Sequence, residues 1–210
     1  MMSGPDPQSI EIANVLPKGF DLVEHGWVFG YGSLMWRPDF DFAVAVPARL
    51  HGWHRQFTLL SVKAWGTPEK PGLSAALHPG GSVLGVAFAV SRDNWSKTRA
   101  ALDRREAAYL PRTVACLHNE HRIEALTYVV HPTNGRFLET PSFDLQARHI
   151  RQGDGPRGTS LEYLEKTVGM LEEMGSFATR AHALLDHVQQ SCQIASMNAR
   201  KIAFAGWSSP

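Results

Sequence analysis

The sequence has little of what marks a secreted or nucleic-acid-binding protein. Only 2 of its 210 residues are cysteines. Cys116 and Cys192 lie far apart, without the paired spacing of a disulfide framework or a thiolate zinc site. Basic and acidic residues nearly balance, with 21 Lys plus Arg against 20 Asp plus Glu, so the chain offers no broad positive field to a nucleic acid. We therefore expect two reduced, buried cysteines and no nucleic-acid partner.

Long apolar runs are absent as well. No stretch of about 18 consecutive apolar residues occurs, and residues 1–16 lack a basic region followed by an apolar core and a cleavage site. These features predict no membrane association and, by default, a cytoplasmic location. A content of 43% hydrophobic and 20% charged residues is typical of one globular domain. We expect a single domain over residues 1–210, with mobile or draped ends at residues 1–22 and 197–210, where the periodicity is weak.

The first half of the chain is predicted to be rich in strands. Apolar or alternating runs, separated by Gly and Pro, predict five of them. These runs are Trp27–Tyr31, Leu50–Val62, Ser82–Val90, Arg112–His118 and His121–Val130. The dipeptide between His118 and His121 is Asn-Glu, which suits a two-residue hairpin turn, so the two histidines should face each other.

Helical patterns begin after the third predicted strand. Ser91 is a suitable N-cap for a helix that ends near Glu106. Leucines and a valine then recur at spacings of three and four over residues 161–171, Gly175 is a stop signal, and a further helix is predicted over Phe177–Gln190. We expect the last two helices to form an antiparallel hairpin against the sheet.

Several local motifs are compatible with ordinary structure when each is taken alone. The "GYGS" stretch at residues 30–33 lacks the third glycine and following helix of a dinucleotide fingerprint. The pairs "HGWH" and "HNEH" are more typical of structural or surface histidines than of metal ligands, and a buried structural role suits Cys116 better than that of a nucleophile. The loop "GTPEKPG" suits a surface turn as well as a pocket wall.

Four stretches taken together indicate a family. They are "FGYGSLMW" from Phe29, "GTPEKPG" from Gly66, the Arg105-Glu106 pair followed by Tyr109, and "GPRGTSLEYL" from Gly155. In order and approximate spacing, from about residue 27 to residue 171, they resemble the ChaC-like γ-glutamylcyclotransferases. The resemblance implies an α+β fold, a small mixed β-barrel with helices packed outside. It also implies a carbon–nitrogen lyase that converts glutathione to 5-oxoproline and cysteinylglycine without a metal or other cofactor.

The same resemblance assigns candidate site residues. Glu106 matches the catalytic glutamate, which would act first as a base and then as an acid, and we expect burial to raise its pKa. A turn after the first strand would hold the substrate's glutamyl carboxylate, and further residues would orient the substrate or shape the pocket. The turn comprises Tyr31, Gly32, Ser33 and Leu34; the others are Tyr163, Tyr109, Glu69 and Lys70.

Alternatives remain open for the substrate. Between Glu106 and Tyr109 the chain has two alanines where many relatives carry glycines, and the sequence does not show what surrounds the Cys-Gly end. Glutathione is the leading small-molecule substrate. A γ-glutamylamine or another γ-glutamyl peptide is the second possibility, and a binding protein without catalysis is the third, which the intact Glu106 opposes. The oligomeric state is left undecided.

Overall fold

Five strands close into a β-barrel in the computed structural model, which describes residues 10–131 and 133–191. The strands are β1 (His25–Gly30), β2 (Val44–Ser61), β3 (Gly72–Ser91), β4 (Tyr109–His118) and β5 (His121–Val130). Their order around the barrel is β1-β3-β2-β4-β5. All neighbours are antiparallel except β1 and β5, which pair in parallel at Val28 and Leu126. This architecture confirms the expected α+β barrel.

Helices follow the third strand and make up most of the second half. They are α1 (Arg92–Arg105), α2 (Phe143–Gln152) and α3 (Ser160–Glu173), with α4 at residues 180–191. A 3-10 turn (Ser33–Met35) follows β1, and the two-residue strands β6 (Asp154–Gly155) and β7 (Gly158–Thr159) precede α3. None of the helices described is long and apolar enough to cross a bilayer.

The predicted helices agree with the structure in position but are incomplete. Ser91 is the N-cap of α1, and Glu106 is its C-cap. Gly175, at φ 76°, lies between α3 and α4 as expected, but α4 begins at residue 180 rather than at Phe177, which is exposed. The sequence pattern did not predict α2. Its buried face includes a glutamine, Gln146, whose Nε2 donates to the carbonyl of Phe57 at 2.8 Å.

Alternating side chains of β1 divide the core into two clusters. Trp27 and Phe29 belong to a cluster that includes residues of α2, α3 and α4, whereas Val28 belongs to a second cluster with Leu102 of α1. This alternation follows from the two-residue period of a strand, which sends successive side chains to opposite faces. Side chains on the two faces of β1 therefore belong to different clusters, one with residues of α2, α3 and α4 and one with Leu102 of α1.

The strands β2 and β3 form one long hairpin that is irregular in two places. Their register shifts between His51 and Trp53 and again between Phe57 and Leu59. Both strands are longer than predicted, since β2 begins at Val44 and β3 at Gly72. The stretch from Leu73, where the sequence predicted no strand, is paired with the end of β2, because that pairing satisfies its backbone.

One edge of β3 is hydrogen-bonded by side chains instead of a strand. The N–H of Leu73 donates to Ser160 Oγ at 2.8 Å, and the Ser160 hydroxyl donates to the carbonyl of Leu73 at 2.9 Å. Two residues further on, the N–H of Ala75 donates to Tyr163 Oη at 3.2 Å, and the Tyr109 hydroxyl donates to the carbonyl of Ala75 at 3.1 Å. These bonds attach α3 and β4 to β3 and fix the two tyrosines.

The N-terminal segment and the turns complete the frame. The N–H of Ala13 donates to the carbonyl of Ala45 at 2.9 Å, and Phe20 packs against the main core cluster. Residues 10–22, which were expected to be draped or mobile, therefore lie against the barrel, while residues 1–9 and 197–210 of that expectation lie outside the described residues. His118 pairs with His121 across the predicted hairpin turn.

Candidate active site

A cavity of about 710 Å³ brings together seven of the nine candidate residues. It lies where the 3-10 turn after β1, the end of β2, the segment after α1 and the start of α3 meet. The candidate residues that line it are Tyr31, Gly32, Ser33, Leu34, Glu106, Tyr109 and Tyr163. Residues far apart in the sequence thus meet in one pocket.

The remaining two candidates, Glu69 and Lys70, are exposed and do not line the cavity. They belong to a turn in which the N–H of Thr67 donates to the carbonyl of Lys70 at 3.1 Å. Hydrogen bonds from its own N–H and from Thr67 lower the pKa of Glu69, so its charge is satisfied locally. From the same loop the structure brings Trp65 to the cavity instead, with its ring 5.1 Å from that of Tyr163.

The turn after β1 is built around a close approach at Gly32. A Cβ on this residue would overlap the hydroxyl of Tyr163, so only glycine leaves room for both. The carbonyl of Gly32 accepts from the N–H of Met35 at 2.8 Å, which closes the turn. The N–H group of Leu34 has no partner within the turn and is available to an anion, whereas the N–H of Ser33 is directed at the hydroxyl of Tyr163, which an anion would have to share.

The Glu106 carboxylate lies at the end of α1 and is only 16% exposed. Burial raises its pKa above the ordinary value, and the guanidinium groups of Arg105 and Arg157 oppose that rise. One carboxylate oxygen is 3.2 Å from Arg105 Nε. A carboxylate whose proton affinity is raised in this way is suited to general acid–base catalysis near neutral pH.

Arg105 connects this carboxylate to the 3-10 turn, a role that the sequence reasoning did not assign. Its Nη2 donates to Ser33 Oγ at 3.1 Å, and its Nη1 donates to the carbonyls of residues 37 and 38 at 2.7 and 2.9 Å and lies 3.1 Å from Asp39 Oδ2. The side chain is only 10% exposed. Arg105 is therefore a scaffold for Glu106 and Ser33. Its only sequence signal was its place before Glu106 in the Arg-Glu pair.

Three tyrosines on the cavity wall are neutral hydrogen-bonding groups. Burial raises the pKa of Tyr163 to about 12 and raises those of Tyr31 and Tyr109 as well. The hydroxyl of Tyr31 donates to the carbonyl of Tyr128 at 2.7 Å, while those of Tyr109 and Tyr163 bond the backbone of Ala75. All three hydroxyls thus help to hold the barrel together.

Arg55 is a second residue that the sequence did not indicate. It supports the turn after β1 by a hydrogen bond to the turn's backbone. It comes from β2, where its Nε donates to the carbonyl of Tyr31 and its Nη2 donates to that of Leu84 at 2.6 Å. Burial lowers the pKa of Arg55 to about 10, so it remains charged at neutral pH. No sequence signal distinguished it from the other polar residues of its strand.

The structure also bears on Cys116. Its thiol is buried, as expected, and burial raises its pKa to about 12, so it is a poor nucleophile. The ring Nδ1 of His118, on the same strand, lies 2.7 Å from the carbonyl oxygen of Pro47. Cys192 lies outside the described residues. Across the part of the chain that is described, no three His, Cys, Asp or Glu side chains are grouped as metal ligands.

The fold and the cavity define a structural class of protein. It is a closed β-barrel with one pocket that contains both a partly buried carboxylate and a glycine-containing backbone turn. The family model described as "ChaC-like protein" matches residues 26–191, and the chain belongs to this family. The predicted resemblance is confirmed.

Curated relatives carry informative names. The glutathione-specific γ-glutamylcyclotransferase 1 of Homo sapiens is 31% identical over 195 residues, covering 88% of this chain and 87% of the human protein. The glutathione-specific γ-glutamylcyclotransferase of Escherichia coli is 32% identical over 142 residues. That match covers 66% of this chain and 62% of the E. coli protein, which is less than two thirds of its length.

A solved structure agrees in fold. The crystal structure of the selenomethionine-labelled, glutathione-specific γ-glutamylcyclotransferase from yeast has a TM-score of 0.73 and 23% sequence identity. It covers 80% of this chain and 96% of the yeast chain. At this identity the likeness supports the barrel architecture.

Proposed function

We propose that this protein is a γ-glutamylcyclotransferase, a carbon–nitrogen lyase that cleaves glutathione to 5-oxoproline and cysteinylglycine. The observation that carries the proposal is the Glu106 carboxylate, which is 16% exposed, has a raised pKa and shares one cavity with the turn at residues 31–34. Family membership and the names of the relatives support the choice of reaction. We further propose that the chain works as a single domain and acts in the cytoplasm.

The turn after β1 would position the substrate. In γ-glutamyl compounds the attacking amine and the attacked carbonyl belong to the same residue, so folding that residue back brings them together. Effective molarities of about 10⁵ M or more are available to such well-oriented intramolecular reactions. By donating hydrogen bonds to the α-carboxylate, the N–H groups of Ser33 and Leu34 would also fix the neighbouring amine. Leu34 is itself buried, and Arg105 holds Ser33 through its hydroxyl.

Glu106 would transfer the proton. The substrate's α-ammonium, with a pKa of about 8 in a free chain, gives a proton to the carboxylate, and the amine nitrogen attacks the γ-carbonyl carbon. As the ring forms, the attacking nitrogen loses its second surplus proton, the bond between the γ-carbonyl carbon and the leaving nitrogen breaks, and Glu106 passes both protons in turn to the leaving nitrogen, which departs as an ammonium. The carboxylate is restored and no water is consumed. The raised pKa of Glu106 makes it a better proton acceptor than an exposed glutamate.

Replacing Glu106 with Gln tests this proposal. Gln keeps the size of the side chain but cannot accept a proton, so kcat for 5-oxoproline release should fall by about 100-fold or more. Glutathione binding, followed by calorimetry, should change little. Glu69→Gln is the matched control, because that carboxylate lies in the exposed turn and should leave turnover unchanged. A Glu106→Gln enzyme within about threefold of wild type would refute the proton-transfer role.

A further inference from the structure

The wall of the cavity is strongly cationic. Five basic residues line it, against the single carboxylate of Glu106. They are Lys63, Arg104, Arg105, Arg136 and Arg157. The donors of Arg105 are already used by Ser33, Asp39 and neighbouring carbonyls. A single substrate carboxylate held by backbone N–H groups does not account for the remaining positive charge.

Arg157 is held in place by its backbone. It lies in the turn between β6 and β7, and its N–H donates to the carbonyl of Ala64 at 3.0 Å. Gly155 of the same hairpin packs so closely on Ala64 and Gly66 that a Cβ would overlap them. The guanidinium group is near enough to Glu106 to lower the pKa of that carboxyl. Arg157 therefore borders both the reacting centre and the wall formed by the end of β2.

Arg136 is held in a similar way on a neighbouring part of the wall. Its carbonyl accepts from the N–H of Leu60 at 2.9 Å, and its N–H donates to Asn134 Oδ1 at 3.0 Å. Asn134 in turn donates to the carbonyl of Ala108, between Glu106 and Tyr109, at 2.9 Å. The loop that carries Arg136 is thus tied both to β2 and to the segment that carries the catalytic carboxylate.

Both arginines are half-buried with uncommitted charged groups. Among the described residues, the hydrogen bonds of Arg136 and Arg157 involve their backbones and not their guanidinium groups. A fixed backbone with an uncommitted guanidinium group suits recognition of a planar anion, since the guanidinium fork matches a carboxylate in geometry and charge.

We propose that Arg136 and Arg157 bind a second carboxylate, on the leaving-group side of the substrate. The enzyme would then select γ-glutamyl peptides that end in a free carboxylate over γ-glutamylamines. This inference rests on the proposed function and assigns its substrate class. Glutathione has such a group on its glycine, whereas a γ-glutamylamine has none and would leave both guanidinium groups unpaired.

The test compares three substrates: glutathione, glutathione esterified at its glycine carboxylate, and γ-glutamyl-n-butylamide. In wild type, KM should be at least about tenfold higher for the ester and the amide, because each lacks the charge-assisted hydrogen bonds. Arg136→Gln and Arg157→Gln should each raise KM for glutathione about tenfold, since these contacts form equally in the ground and transition states. Arg136→Gln should change kcat little, whereas Arg157→Gln should also move the pH profile of kcat upward, because this guanidinium lowers the pKa of Glu106. Neither variant should change KM for the ester more than twofold.

Arg112→Gln is the charge-matched control, because Arg112 is exposed on β4 and does not line the cavity. It should change none of these values. The inference is overturned if wild type treats glutathione and its ester alike, or if the arginine variants raise KM for both alike, since the arginines would then hold the glutamyl part. If no substrate yields 5-oxoproline, the proposed function fails, and calorimetric binding of glutathione against its ester still decides the role of the arginines.

Discussion

The hydroxyl of Tyr163 occupies the space that a side chain at residue 32 would need. Gly32 has φ −135° and ψ −134°, so its glycine is required by the close approach rather than by a left-handed backbone. The next Tyr163 atom, Cζ, would be 3.6 Å from a Cβ on residue 32, which is an ordinary contact distance. The conflict is therefore with the hydroxyl alone.

Gly32→Ala should destabilise the protein by about 1–3 kcal/mol through overpacking. Tyr163→Phe should cost about 1 kcal/mol, because the N–H of Ala75 loses its acceptor. In the double variant the space conflict is gone, so its loss of stability should be smaller than the sum of the two by about 0.5 kcal/mol or more. Urea unfolding of the four proteins measures the coupling. Strict additivity would show that the hydroxyl is not what excludes a side chain at residue 32.

For single residues, the sequence indicated which short motifs belong to the candidate site, but it did not predict the contacts that the side chains make. Glu106 and the turn at residues 31–34 lie in short local motifs, and the structure brings them to one cavity. The arginines are different, because a guanidinium group at the end of a long side chain can reach many partners. Nothing local distinguishes Arg105, whose donors are used by the scaffold, from Arg157, which stays uncommitted. That distinction depends on contacts between residues about 70 positions apart, such as Arg105 with Ser33.

Among the elements, α3 is attached to the edge of β3 beside the cavity by buried side-chain hydrogen bonds. Ser160 begins α3, is fully buried, and both accepts from and donates to the backbone of Leu73. Tyr163 lies one turn further along the same face of the helix. The capping box of Thr159 and Glu162 fixes where α3 begins, so the serine and the tyrosine reach Leu73 and Ala75 together.

Ser160→Ala should cost about 1–3 kcal/mol, because the N–H and the carbonyl of Leu73 would be left buried without partners. The amide proton of Leu73 should also exchange faster with solvent. Ser82→Ala is the control: this serine is exposed on β3 and should change stability by less than about 0.5 kcal/mol. Equal unfolding midpoints for Ser160→Ala and wild type would mean that water or backbone movement replaces the hydroxyl.

Helices were predicted where the spacing of apolar residues matches the positions that are buried in the structure. The helix in which the two disagree was missed. In α1 and α3 the apolar positions follow the helical spacing, whereas in α2 Gln146 is buried and Leu145 is 37% exposed. The apolar pattern of α2 was therefore inverted at two adjacent positions. The additional length of β3 was hidden for another reason: the edge formed by Leu73 and Ala75 is satisfied by side chains of distant elements, which local sequence does not record.

For the whole molecule, the barrel is closed by strands that are distant in the sequence. Strand β1 pairs with β3 on one side and with β5 on the other, although β5 lies about 100 residues further along the chain. Such long-range parallel pairing cannot be read from periodicity. Within this barrel, Glu106 is buried and its charged form is disfavoured, so the site carries a cost in stability.

This cost predicts that removing the charge of Glu106 stabilises the protein, by an amount that depends on pH. Because the pKa of Glu106 is raised on folding, wild type loses stability as the pH rises from the unfolded value of about 4.3 through the raised folded value. Glu106→Gln does not titrate, so at pH 7 it should melt higher than wild type by about 2 °C or more, and the difference should vanish below about pH 4. Glu69→Gln should show no such gain, because hydrogen bonds lower the pKa of Glu69 and favour its charged form. Thermal melts of the three proteins from pH 4 to 8 measure this. A Glu106→Gln protein that melts below wild type at pH 7 would show that the ion pair with Arg105 outweighs the burial of the carboxylate.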